Sequence, residues 1–88
     1  MKTWEQARTE IKSISEEEKR EISQMAQLVA QIIERRQALG LTQKQLAEQT
    51  GLKQEAVARL ESARTMPRVD TLLRVSNSLK MRVSLTAL

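Results

Sequence analysis

The chain of 88 residues contains no cysteine and no histidine. Disulfide bonds are therefore excluded, and the side chains most often used for zinc sites and for nucleophile–base pairs are missing. Glu16, Glu17 and Glu18 supply carboxylates, but consecutive residues on a helix point in different directions. We interpret this run as a solvated helix start. Catalysis is the function we least expect, and we expect no metal or other cofactor.

Long hydrophobic runs are also missing from the sequence. A membrane-spanning helix needs about 20 predominantly apolar residues, and neither such a run nor a signal-peptide pattern is present. The length suits one small domain and not two. We therefore expect a soluble cytoplasmic protein. Because a domain of this size buries a limited core, dimerisation would add useful stability.

The net charge of +4 is distributed unevenly along the chain. Residues 1–37 hold seven Lys or Arg and seven Glu, which cancel. Residues 38–88 hold eight Lys or Arg and only four Asp or Glu. The excess positive charge therefore lies in the second part of the chain, as a surface that binds nucleic-acid phosphates requires.

Glycine and proline are scarce, and each marks a break in a helical pattern. Gly40 and Gly51 follow periodic segments, where glycine permits the left-handed backbone of a helix stop. Pro67 closes the loop 63–67. Between these breaks the hydrophobic spacing predicts five helices, over residues 3–14, 15–39, 42–50, 54–62 and 69–79.

The helix predicted after Ser15 is much longer than its successors. About 24 residues at 1.5 Å each span roughly 36 Å, more than two short helices can cover. Its N-terminal half must then pack on residues 3–14, on a second copy or on a partner. The predicted inner stripe of this helix is Ile22, Met25, Ala26, Val29, Ile32, Ile33 and Arg36. For the last helix, the predicted inward residues are Val69, Leu72, Leu73, Val75 and Leu79.

Residues 42–61 form the most informative motif of the chain. Thr42 suits a helix N-cap, with Gln45 placed to complete a capping box. In the second helix of the motif, three apolar residues cluster on one side: Ala56, Val57 and Leu60. The opposite arc carries Gln54, Glu55, Ala58, Arg59 and Ser62. A helix-turn-helix that recognises DNA with its second helix needs this division into an apolar and a polar face.

Beyond Lys80 the hydrophobic spacing changes to a period of two. Met81, Val83, Leu85 and Ala87 alternate with polar residues, which predicts a β-strand over 81–88. A lone strand leaves its backbone groups unpaired, so we expect it to pair with a second copy through Val83 and Leu85. The alternative is a frayed tail.

Residues 39–79 resemble the helix-turn-helix family of lambda-type repressors and Cro, often called the XRE family. The resemblance lies in LGLTQKQLAEQTGL, in VARLE, and in a proline followed by TLLRVSNSL. The flanks are similar to HigA-type antitoxins, through a long helix ending in IIERRQALGLTQ and a short strand after the fourth core helix. The resemblance implies an all-α, lambda-repressor-like bundle of about five helices with one C-terminal dimerisation strand. The domain would span 15–80, between an N-terminal segment 1–14 and the strand 81–88.

The resemblance also implies a function. It describes a homodimeric repressor that binds double-stranded DNA at a palindromic operator and neutralises a toxin of the HigB or RelE type. One alternative is a free-standing regulator without a toxin, and another is a module that binds protein only. Trp4, the only aromatic residue, would bind the partner with Ile11 and Ile14, although it could instead cover its own long helix. Similarly, the acidic run at 16–21 could meet a basic toxin.

Individual roles in DNA binding follow from matching positions. Gln43 would bond a phosphate and brace Gln54, which suits pairing with adenine. Arg59 would bind guanine in the major groove. Lys53, where the family prefers a Ser or Thr cap, and Arg64 would contact phosphate.

Other positions match the family less closely or have a structural role. Arg36 and Glu61 resemble a structural ion pair of the family. Glu55 can accept a hydrogen bond from cytosine but repels the DNA backbone, and Ala58 can only touch a thymine methyl. Ala63 replaces a usual glycine, and Arg68 replaces the usual cap of the next helix.

Overall fold

A computed structural model describes residues 15–62 and 65–87 of the chain. This part folds into four α-helices: α1 (Glu16–Ala38), α2 (Gln43–Thr50), α3 (Gln54–Ser62) and α4 (Val69–Ser78). Each lies within about one residue of the range predicted from the hydrophobic spacing. The fifth predicted helix, over residues 3–14, falls outside the described residues, so the described fold is an all-α bundle of four helices.

Side chains cap the starts of the first two helices. The Ser15 hydroxyl accepts a hydrogen bond from the Glu18 backbone N–H at 3.1 Å. At α2 the capping box is complete, since the Gln45 N–H donates to the Thr42 hydroxyl at 3.0 Å and the Thr42 N–H donates to the Gln45 amide oxygen at 2.8 Å. These bonds satisfy N–H groups that have no partner inside the helix. α4 begins without a side-chain cap at Arg68.

Three helices end in the same way, with a left-handed residue followed by an apolar one. Gly40, Gly51 and Lys80 have φ of 72°, 74° and 59°. The residues that follow them pack against the core: Leu41, Leu52 and Met81. Each donates its backbone N–H back to the last helical turn, at 3.1, 3.1 and 2.9 Å. The two glycine stops are confirmed, whereas the spacing did not predict that Lys80 would take the same conformation.

The core lies where α2 packs against α3 and α4, and α1 packs against α3. Its buried residues are Ile32, Leu46, Ala47, Val57, Leu60, Leu72, Val75 and Leu79. The six of them that lie outside α2 were expected to face inward. A hydrogen bond also joins α1 to the residue that follows α4: Arg35 Nε donates to the Leu79 carbonyl oxygen at 3.1 Å.

Some expected inner residues are outside the core. In α1, Ile22 is 51% exposed and Ala26 is also exposed. The three shorter helices are too short to cover the N-terminal half of α1. In α4, Val69 is 66% exposed because it lies in the first turn, and Leu73 is exposed on the flank. No helix among the described residues is long and apolar enough to cross a membrane.

The predicted C-terminal strand is wrong for residues 81–87, which have no regular secondary structure. A strand needs a neighbour to complete its hydrogen-bond ladder, and no strand exists among residues 15–62 and 65–87. Val83 is half-buried, and it lines a groove together with Leu28 and Ile32 of α1. Leu85 is 100% exposed. The dimerisation role expected for Val83 and Leu85 stays a prediction.

Candidate nucleic-acid interface

The candidate interface is built on α2, the turn after it, and α3. Gly51 ends α2 in a left-handed conformation, and only two further residues precede α3. The Thr50 hydroxyl donates to the carbonyl oxygen of Leu46 at 2.9 Å or of Ala47 at 3.1 Å, which secures the last turn of α2. Buried side chains on both helices, among them Leu46 and Val57, hold the pair together. The turn therefore fixes the direction in which α3 leaves α2.

The outward face of α3 carries polar side chains, as its spacing predicts. Gln54, Glu55 and Arg59 are exposed, and Ala58 is half-buried. Within the described part of the chain, no hydrogen bond or ion pair occupies the side chains of Gln54, Glu55 and Arg59. Long side chains with unoccupied donors can reach base edges when a helix enters a major groove.

The basic residues expected around α3 lie at different places. Lys53 is exposed in the turn just before the helix. Arg59 and Arg68 line one depression between α3 and the loop that leads to α4. Arg68 also forms an exposed ion pair with Asp70, its Nε lying 3.2 Å from Oδ1. Arg64 falls outside the described residues, as do Trp4, Ile11 and Ile14, so the structure says nothing of their expected roles.

A polar network joins α1, α2 and α3 beneath this face. The Glu61 carboxylate accepts two bonds from Arg36, from Nε at 2.7 Å and from Nη2 at 2.9 Å. Arg36 Nη1 donates to the Leu41 carbonyl oxygen at 2.7 Å. The side chains of Arg36 and Glu61 are only 12% and 5% exposed. Such a shielded, bidentate ion pair fixes the end of α3 against α1.

Gln43 belongs to this network, which the sequence did not predict. Its Nε2 donates to Glu61 Oε1 at 3.1 Å. No hydrogen bond joins Gln43 to Gln54 among the described residues, so the expected brace between them is absent here. Residues 43 and 61 lie far apart in the sequence and meet only because α2 packs on α3. Neither helical spacing nor motif could have located this contact.

Two helices joined by a tight turn, with a buried inner face and an exposed polar outer face, define a DNA-binding helix-turn-helix domain. The sequence profile of the helix-turn-helix family matches residues 32–85, which is more than half of the chain. The chain therefore belongs to the XRE-type helix-turn-helix family of DNA-binding transcriptional regulators.

Two relatives extend this comparison. An uncharacterised HTH-type transcriptional regulator from Haemophilus influenzae is 39% identical over 74 residues, which cover 84% of this chain and 76% of the relative. A solved structure described as a toxin–antitoxin module from Streptococcus pneumoniae superposes with a TM-score of 0.69 at 33% identity. That match covers all of this chain and 96% of the other.

Proposed function

We propose that the protein is a homodimeric, sequence-specific repressor and the antitoxin of a toxin–antitoxin pair. In this role it represses its own operon and neutralises a toxin of the HigB or RelE type. The observation that carries the antitoxin assignment is the similarity to the pneumococcal toxin–antitoxin module, which extends along nearly the whole of both chains. A shared helix-turn-helix alone would have covered only part of them.

In the proposed complex, α3 enters the major groove and each exposed residue has a separate task. Gln54 pairs with adenine and Arg59 with guanine, while Lys53, Gln43 and Arg64 contact phosphates. Glu55 accepts from cytosine, and Ala58 touches a thymine methyl. The exposure of Lys53, Gln54 and Arg59 supports this arrangement, since none has to break a contact within the described fold before binding.

The proposed dimer binds two half-sites, so that two copies of α3 enter successive major grooves about 34 Å apart. Val83 and Leu85 contribute to the contact between copies. The full exposure of Leu85 supports this role, because an apolar side chain gains from leaving water. On sequence grounds, Trp4, Ile11 and Ile14 bind the toxin.

A free-standing transcriptional regulator is the second candidate. It is favoured by the Haemophilus relative, whose name mentions transcriptional regulation and no toxin. The DNA-binding mechanism is the same in both candidates, and only the existence of a protein partner separates them.

Two experiments test the proposal. First, the wild-type protein is used to select duplexes from a random DNA pool; a repressor recovers a palindromic sequence, and a protein-binding module recovers none. Second, any small reading frame found beside the gene is induced with and without this protein. Growth arrest that the protein relieves supports the antitoxin, whereas an adjacent frame without toxicity leaves the free-standing regulator.

A further inference from the structure

The first side chain of α2 is held in one orientation by the end of α3. Gln43 Nε2 donates to Glu61 Oε1 at 3.1 Å. An ionised carboxylate accepts hydrogen bonds but donates none, so the amide nitrogen and not the amide oxygen must face Glu61. The contact therefore selects one of the two flipped states of the amide. It uses one N–H of Nε2, and a second N–H remains on the same nitrogen.

Glu61 is itself immobilised, so it can orient Gln43. Arg36 donates to both of its carboxylate oxygens, at 2.7 and 2.9 Å, and is anchored in turn on the Leu41 carbonyl at 2.7 Å. Since both charged side chains are largely shielded from water, these bonds are directional and strong. A continuous chain of hydrogen bonds thus runs from α1 through the end of α3 to the start of α2.

The two capping residues at the start of α2 are already occupied. Thr42 and Gln45 satisfy each other through the capping box. Gln43 is only partly buried, and the second N–H of its amide has no acceptor among the described residues. It lies on the same helix-turn-helix unit as the exposed face of α3, and the adjacent Lys44 is exposed. The second Gln43 N–H is therefore an unoccupied donor on the first residue of α2.

We infer that Glu61 is a positioning residue for DNA binding that acts through Gln43. Its carboxylate holds the Gln43 amide so that the second N–H donates to a DNA phosphate. The same carboxylate is part of α3, so insertion of α3 into the groove and the phosphate contact at α2 are set in one register. This inference rests on the proposed DNA-binding function and assigns Glu61 a role beyond its ion pair with Arg36.

A double-mutant cycle tests the coupling. The probe is a duplex of about 30 base pairs selected from a random pool by the wild-type protein, long enough for two half-sites. Affinities are measured for wild type, Gln43→Met, Glu61→Gln and the double variant, at a temperature where circular dichroism shows each to be folded. Gln43→Met keeps the length of the side chain and removes its donors. If Glu61→Gln does not fold, Glu61→Asp replaces it. Aspartate keeps the charge opposite Arg36, while its shorter side chain withdraws the carboxylate from Gln43.

We expect Gln43→Met and Glu61→Gln each to weaken binding about tenfold, the effect of one hydrogen bond to a charged group. In the Gln43→Met background, Glu61→Gln should cost less than about twofold, because the contact it supports is already gone. Gln43→Met should leave the salt dependence unchanged, since a neutral amide releases no counterion.

Lys53→Met provides the matched control, a proposed phosphate contact outside the network. In that background Glu61→Gln should still cost about tenfold, and Lys53→Met alone should reduce the salt slope by about 1. Equal costs of Glu61→Gln in the wild-type and Gln43→Met backgrounds would overturn the inference and leave Glu61 a structural residue. Failure of the wild-type protein to select any sequence is a different result, and it would overturn the proposed function itself.

Discussion

Replacing Glu61 by alanine should destabilise the fold more than any surface change of charge. The substitution removes the acceptors of two bonds from Arg36 and one from Gln43. Arg36 then retains only its bond to the Leu41 carbonyl oxygen. Its side chain is only 12% exposed, so the guanidinium charge stays largely shielded from water. Removing one partner of a buried ion pair costs about 3–5 kcal/mol, because the remaining charge stays buried without compensation.

The expected loss is large compared with the stability of a small domain. At roughly 0.05–0.15 kcal/mol per residue, a chain of this length has a free energy of unfolding of about 4–13 kcal/mol. Each kcal/mol lost lowers Tm by about 4–8 °C in a domain of this size. Chemical denaturation and thermal melts followed by circular dichroism measure both quantities for Glu61→Ala and wild type.

Glu16→Ala is the matched control, since it also removes a carboxylate from an ion pair. Glu16 lies 3.3 Å from Lys19 Nζ, but both side chains are exposed. Water screens such a pair, so the expected loss is below about 1 kcal/mol. The double replacement Arg36→Met with Glu61→Leu should recover much of the stability lost in Glu61→Ala, because no unpaired charge remains buried. A loss for Glu61→Ala as small as that for Glu16→Ala would refute the reasoning.

Four further substitutions test other parts of the molecule. Lys80→Gly should stabilise the fold by about 0.5–1 kcal/mol, since it relieves the left-handed conformation of a lysine. Gly40→Ala should destabilise the fold by about 1 kcal/mol, because it forces alanine into that conformation. Melting temperatures equal to that of wild type would contradict both expectations. Arg59→Ala should weaken operator binding by about 1–3 kcal/mol and relax the preference at one base pair, as measured by competition among single-base variants of the selected duplex; an unchanged preference would remove Arg59 from base recognition. Leu85→Glu should shift sedimentation from dimer to monomer and lower Tm only by the stability that association adds, since Leu85 is fully exposed in the single chain. An unaltered dimer would exclude Leu85 from the contact.

Hydrophobic spacing predicted the described helices well because their stops are local. Gly40 and Gly51 adopt the left-handed conformation that glycine tolerates, and Thr42 with Gln45 forms the complete capping box. These features depend on residues a few positions apart, so one sequence is enough to locate them. The outward position of Arg59 follows in the same way from the period of the helix.

Hydrophobic spacing failed to predict burial and strand formation where these depend on what packs opposite a residue. Val69 has the period of an inward residue, yet it lies in the first turn of α4 and is exposed. The alternation at 81–87 suits a strand, but a strand forms only with a neighbour, and the described residues offer none. A periodic pattern describes which residues share a face and not whether anything covers that face.

The amino-acid order alone was sufficient for the four described helices, the capping box of α2, the two glycine stops and the division of α3 into an apolar and a polar side. Backbone conformation and amphipathic period are properties of neighbouring residues. Tertiary packing was needed to bring Gln43 Nε2 within 3.1 Å of Glu61 Oε1 and to shield the Arg36–Glu61 ion pair from water. Residues distant in sequence meet only when helices pack, and the shielding that strengthens their hydrogen bonds exists only in the assembled core.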